Sequence, residues 1–158
     1  LKVGITRATQ VPTRWIDQGA TQALAIIRVR NRLQSGILEV MFKQQVSDKT
    51  NWRAMLKGEA EPLKMDEEAA LLLEECDSEF NELKEHFGFF AISVLNGIAS
   101  VGINYPVVKY PENLTSFNFD KHPVVEGTLL GIKGQYLIFD TGVINLRRFS
   151  GYDVKLSH

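Results

Sequence analysis

One cysteine and three histidines in 158 residues leave little from which to build cross-links or a transition-metal centre. Cys76 has no partner in the chain, which excludes an intramolecular disulfide and a cysteine-based zinc site and fits a reducing, cytoplasmic compartment. No apolar run approaches the roughly 20 residues needed to cross a bilayer, and the opening LKVGITRATQ lacks the apolar stretch of a signal peptide, so no membrane partner is expected. A phosphate-binding glycine loop is missing, His86, His122 and His158 have no metal-ligand spacing, and no small-molecule cofactor is indicated. Leu1 is not an initiator methionine and opens directly into a strand-like pattern, as expected of a fragment or processed product.

What is present is charge, unevenly placed. The formal net charge is −1, yet residues 1–58 carry ten Lys or Arg against Asp17, Glu39 and Asp48, a net of +7. Residues 59–87 carry eleven Asp or Glu against Lys64 and Lys84, a net of −9, and residues 88–158 come to +1. A module of +7 suggests a surface for a polyanion, because Lys and Arg that neutralise phosphates release condensed counterions. The alternative is that the acidic segment folds back and neutralises the basic one internally.

The expected fold class is α+β in three parts: a basic α/β module (1–58), an acidic helical connector (59–97) and an antiparallel β module (98–158). A strand is expected at Lys2–Ile5, a helix over Thr13–Gln18 closed by Gly19, and a strand at Leu24–Val29. Asn31 is placed to cap a helix running to about Val46, with apolar stripes on two sides that both call for cover. A short helix is expected over Thr50–Lys57. The spacing of Leu72, Cys76, Phe80, Leu83 and Phe87 predicts one long amphipathic helix from Asp66 to Phe87, with Cys76 as a buried structural thiol. The runs VGINYPVV, LTSFNF, VVEGTLLGI, QYLIFD, VINLRR and YDVKL then predict short strands. The last four form a meander, turned at Lys133-Gly134, Thr141-Gly142 and Ser150-Gly151, that would close as a small barrel or curl over a helix.

The side chains able to carry chemistry gather early: Lys2, Arg14, Gln18, Glu39, Asp48, Asn51 and Arg53. In-line attack on a phosphodiester needs a carboxylate to hold a hard metal ion and a guanidinium to bind developing charge. Glu39 and Arg14 are the candidates for those two catalytic roles. Against this, Glu39 would simply pair with Lys43 one helical turn on, and Arg14 would be structural. Lys2, Arg7, Arg28, Arg30, Asn51 and Arg53 are candidate nucleic-acid contacts, with Arg28 and Arg30 on one face by strand alternation. Asn51 equally suits a helix cap, and Trp15 and Trp52 suit packing better than base stacking. Lys133, Tyr136, Arg147, Arg148, Phe149 and Tyr152 interleave bases and aromatics, for which an aromatic core with solvated arginines is the favoured reading.

The strings KVGITR, PTRWIDQGA, SGILEV, SDKTNWRAML and GIKGQYLIFDTGVINLRRFSGY resemble the bacterial family known as domain of unknown function 2797, over nearly the whole chain. The order of strand, Arg-bearing helix, strand, Glu-bearing helix and late asparagine in residues 1–58 is also similar to the GIY-YIG nuclease core. That resemblance implies Gly4 as the glycine of the second strand motif, Arg14 as the charge-stabilising arginine, Glu39 as the ligand of one magnesium ion and Asn51 as the late asparagine. Lys2 stands where a tyrosine is usual, and the tyrosine-bearing first strand would precede Leu1, so the fragment is expected to be inactive.

Three functions remain open at this stage: a magnesium-dependent nuclease, a binding module for DNA or RNA on a nuclease-like scaffold, and a non-catalytic structural or protein-interaction domain. Arg14 and Glu39 are expected on one side of the basic module if either of the first two holds.

Overall fold

The structure is a computed structural model that describes residues 1–58, 60–112 and 114–157; Glu59, Asn113 and His158 lie outside the described residues. The fold is α+β, built from helices and antiparallel sheets. In chain order its elements are α1 (Thr13–Asp17), β1 (Gln22–Ala23), β2 (Ile27–Val29), α2 (Arg32–Phe42), α3 (Trp52–Leu56), α4 (Met65–Glu75) and α5 (Asp77–Phe87). They are followed by β3 (Ile92–Val94), β4 (Val101–Gly102), β5 (Leu129–Lys133), β6 (Tyr136–Phe139) and β7 (Val143–Asn145). Single 3₁₀ turns occupy Ala8–Gln10 and Leu146–Phe149.

Local chemistry accounts for the helix starts. Asn31 and Gln34 form a capping box on α2, the Asn31 side chain accepting from the Gln34 N–H while the Gln34 side chain accepts from the Asn31 N–H. Asn51 caps α3 by accepting from the Ala54 N–H at 3.2 Å. Asp66, Glu67 and Glu68 fill the first turn of α4, and Asp77 and Glu79 that of α5, where the helix dipole favours negative charge.

Sheet pairing joins early and late parts of the chain. β1 pairs antiparallel with β4, and β2 with β3 in the register Ile27 to Val94, Arg28 to Ser93 and Val29 to Ile92. One face of the β2–β3 pair, with Ile27, Val29, Ile92 and Val94, packs on α2, α4 and α5 in a core that includes Leu38, Met41, Phe42, Leu72, Cys76 and Phe80. The other face presents Arg28 and Ser93 to solvent. A second core of Leu56, Ile138 and Val143 joins α3 to the β5–β6–β7 meander, with Trp52, Met55, Tyr110 and Tyr136 packed around it.

Several expectations are corrected. Lys2–Ile5 pairs with no strand, its backbone meeting the rest of the fold through the Val3 N–H donating to Ser47 O at 3.0 Å. The expected helix Asp66–Phe87 is two helices broken at Cys76, where φ −104° and ψ 10° leave the helical region. Leu72 and Phe80, on separate segments, still enter the same core. Burial there, with Glu79 and Glu75 adding to it, pushes the Cys76 thiol pKa up, as an inert structural thiol requires. α2 is covered on one side only: Leu38, Met41 and Phe42 are buried, while Leu33 and Val40 are exposed beside Gly36 and Ile37.

The C-terminal part contains fewer strands than the runs suggested. VGINYPVV keeps only β4 and a bridge from Val107 to Gly131, because Pro106 lacks the ladder donor; LTSFNF keeps one bridge, Ser116 to Val143. Leu146–Phe149 turns as a 3₁₀ helix and YDVKL forms no strand, so three strands make an open meander rather than a barrel. Gly134, with φ +59°, opens the two-residue turn of the first hairpin, as its sequence predicts.

That hairpin tip is seated on the basic module. A Cβ added to Gly134 would lie 3.0 Å from both Asp17 O and Gly19 N, so any side chain would crowd the α1 end in a backbone conformation that already favours glycine. Behind it the Tyr105 hydroxyl lies 3.2 Å from Ile16 O and 3.0 Å from Ala20 O, closing the C-terminal end of α1. Burial first, then Tyr110 and Asp17, pushes the Tyr105 pKa up to about 12. A phenol whose folded pKa is raised contributes stability that is complete below the unfolded value, near 10, and lost as pH rises through 12. Tyr105→Phe should therefore cost about 1 kcal/mol at neutral pH and make the alkaline decline shallower. The check is denaturant unfolding of both proteins across that range. Tyr152, whose pKa is raised by its bond to Asp120, cancels in the difference.

Candidate functional site

Lys2 is the centre of the polar cluster in the basic module. Its Nζ donates to Gln18 Oε1 at 2.8 Å and to Thr50 Oγ1 at 2.9 Å, and the Thr50 hydroxyl also reaches Gln18 Oε1 at 3.3 Å. Three segments are thereby joined: the start of the chain, the C-cap of α1 and the loop before α3. An ammonium has three donors, and two are committed here.

The electrostatics at Lys2 identify its neighbours. Burial is the largest influence and lowers its pKa; the Arg14 guanidinium lowers it further, while the Asp48 and Glu39 carboxylates oppose that shift. Lys2 therefore feels one further cation and two carboxylates, drawn from α1, α2 and the turn after α2. Arg14 lies 3.9 Å from Asp17, which is shared with Arg147 at 3.4 Å. Glu39 does not take the expected partner, because Lys43 approaches Asp48 at 3.8 Å instead, and among the described residues Glu39 has no ion pair. Chemically, the cluster offers cationic donors beside half-buried carboxylates, a composition suited to a phosphate or to its metal-bound form. No group of three metal-ligating side chains forms among the described residues.

The other candidate contacts lie apart from this cluster. Arg7, Arg28 and Arg30 are exposed, and Arg28 stands on the open face of the β2–β3 pair. Asn51 is committed as the α3 cap, and Arg53 lies over the Trp52 ring, 4.5 Å from its centroid. Trp52 in turn stacks on Tyr136 with centroids 5.8 Å apart, so it packs rather than offering a free base platform. In the C-terminal part Phe149 is buried against Phe119, Lys133 is buried, and Arg147 reaches back to Asp17.

The charge asymmetry has a structural answer among the described residues. Of the ten cations in residues 1–58, Arg14 and Lys43 are ion-paired, both with acids of the same segment. Arg7, Arg28, Arg30, Arg32, Lys49, Arg53 and Lys57 are exposed and make no ion pair, and no carboxylate of α4 or α5 pairs with any of the ten. The acidic helices put their apolar sides on the shared core and their carboxylates outward.

Sequence reasoning missed Thr50, Asp17 and Tyr105, and it weighed Lys133 as a surface base rather than a buried one. Only Lys133 carried a usable signal: strand alternation in LLGIK puts it on the same side as Gly131, and both are buried. The others meet their partners through contacts across the fold that no local pattern encodes.

Residues 1–154 match a family described as "Protein of unknown function (DUF2797)". No curated protein and no solved structure matches the chain.

Proposed function

The chain belongs to the DUF2797 family, whose description assigns no activity, and we therefore propose from its own residues that it is a nucleic-acid-binding module whose basic segment holds the phosphate backbone. The observation that supports this reading is the set of seven exposed cations in residues 1–58 left without ion pairs among the described residues, although the neighbouring helices carry the acids to neutralise them. Surface arginines kept free in this way favour a phosphate partner, since bound counterions are released when a polyanion replaces them. Arg28, Arg30 and Arg32 gather where β2 runs into α2 and form its centre.

The test is direct. Arg28→Glu with Arg30→Glu should weaken binding of labelled oligonucleotides and reduce the salt slope by about 1 per residue replaced. Fluorescence anisotropy over a salt series reads both quantities. Unchanged affinity and slope would show that the phosphate contacts lie elsewhere or do not exist.

A second, enzymatic reading draws on one observation, the action of both Arg14 and Glu39 on Lys2. In it Arg14 binds the developing charge of a phosphodiester, and Glu39 with water holds a magnesium ion. The described cluster offers this reading neither a tyrosine nor a histidine as base, and the groups that are there are otherwise engaged, Asp48 facing Lys43 and Lys2 donating to Gln18 and Thr50. Binding without cleavage is therefore the function proposed for this chain.

A further inference from the structure

Phe89 and Phe90, adjacent in sequence, are 76% and 85% exposed, more than any other aromatic side chain among the large hydrophobics exposed on this protein. They are the two central residues of a turn closed by the Ala91 N–H donating to Gly88 O at 2.9 Å, and Gly88, at φ +90°, supplies the reversal after α5. The turn leads directly into β3. The last rung of the β2–β3 ladder, Val29 opposite Ile92, leaves Arg30 one residue beyond it on one strand and Phe90 two residues before it on the other. The two rings thus stand at the same end of the sheet as Arg30, Asn31 and Arg32, with Arg28 further along the open face. The acids nearest in sequence, Glu82 and Glu85, are exposed on α5, and neither pairs with these arginines.

Packing does not explain two neighbouring phenylalanines at a turn tip, because neither enters a core. Single exposed apolar residues are ordinary, but paired rings beside a row of unpaired guanidinium groups have the composition of a single-strand site. There, cations track the backbone while unpaired bases stack on aromatic faces. A duplex hides those faces inside its own stack and offers only phosphates and groove edges.

We propose that the Phe89–Phe90 turn is a stacking platform for unpaired bases and that the nucleic acid bound by this protein is single-stranded, its phosphates running along Arg30, Arg32 and Arg28. The inference rests on the nucleic-acid reading above and specifies its ligand. The full chain and a Phe89→Ala, Phe90→Ala variant would be titrated by anisotropy with three labelled probes: a short oligothymidine, an abasic oligonucleotide of equal length, and a duplex. The native protein should prefer oligothymidine to the abasic strand. The variant should lose roughly tenfold or more on oligothymidine and change little on the other two.

Each other outcome is informative. If the native protein binds none of the probes at low salt, the nucleic-acid reading itself falls. If it binds all three and the variant binds oligothymidine as tightly, that reading survives and the stacking platform is overturned. An equal loss on strand and duplex, with unchanged thermal unfolding, also overturns base stacking. Binding of the native protein to anionic vesicles that the variant loses, without a change on oligothymidine, assigns the rings to a lipid surface instead.

Discussion

Raising the salt from about 50 to about 200 mM should weaken the protein's hold on a single-stranded oligonucleotide by roughly two orders of magnitude. The size follows from counterion release: each phosphate of a single strand that is neutralised contributes about −0.7 to the slope of log K against log salt, and about five contacts over that range give the stated loss. Seven exposed cations of residues 1–58 make no ion pair among the described residues, but they lie on several elements, so not all can meet one backbone. An internally neutralised module would behave differently, because its counterions would already be gone, and its affinity would hardly respond to salt. Ion pairing separates the two cases at close range: none of the ten cations meets an α4 or α5 carboxylate. The measurement is a titration at several salt concentrations, and a slope near zero would remove the electrostatic mechanism.

Lys133→Ala should destabilise the protein by about 3 kcal/mol and lower its unfolding temperature by roughly 6–12 °C. Lys133 is only 1% exposed, and its Nζ donates to Met55 O at 2.9 Å and to the Tyr110 hydroxyl at 3.3 Å. It also lies over the Tyr110 and Tyr105 rings, 5.0 and 5.6 Å from their centroids. No carboxylate pairs with it among the described residues, so its charge is met by a carbonyl at the end of α3 and by aromatic faces. Truncation removes the bonded ammonium together with the stem that fills the junction between meander and basic module, leaving a buried carbonyl without its donor. Lys133→Met separates these effects, since it keeps the stem and removes the ammonium's desolvation cost. It should lose clearly less than Lys133→Ala in the same denaturant unfolding. Should alanine prove neutral, Lys133 is not a structural tie and the junction is held by its other contacts, among them Gly134, Tyr105 and the Leu56–Ile138–Val143 core.

Much of the fold was legible because its signals are local. Asn31 and Gln34 announce α2, Asn51 announces α3, and Gly134 announces the first hairpin, each because a backbone group needs that side chain, or its absence, at that step. Periodicity found the apolar stripe of α4 and α5 but not the break at Cys76, since Leu72, Cys76 and Phe80 keep helical spacing whether or not the axis bends. The last strands were overcounted for a related reason. VINLRR and YDVKL have strand composition, yet a strand needs a partner edge, and these segments have none beyond β7.

The candidate site was legible only as a set of residue types. The sequence by itself determined the +7 charge of residues 1–58, the α+β class and the residues suited to phosphate chemistry, because charge and capping belong to each residue wherever it lies. Tertiary structure alone decided which of them meet. It tied Lys2 to Gln18 and Thr50, gave Lys43 to Asp48 rather than to Glu39, and turned the acidic helices' carboxylates away from the arginines. The physical reason is that ion pairs and hydrogen bonds act within a few ångströms, and separations of 16 and 48 residues along the chain are closed to that range only by packing of the folded core.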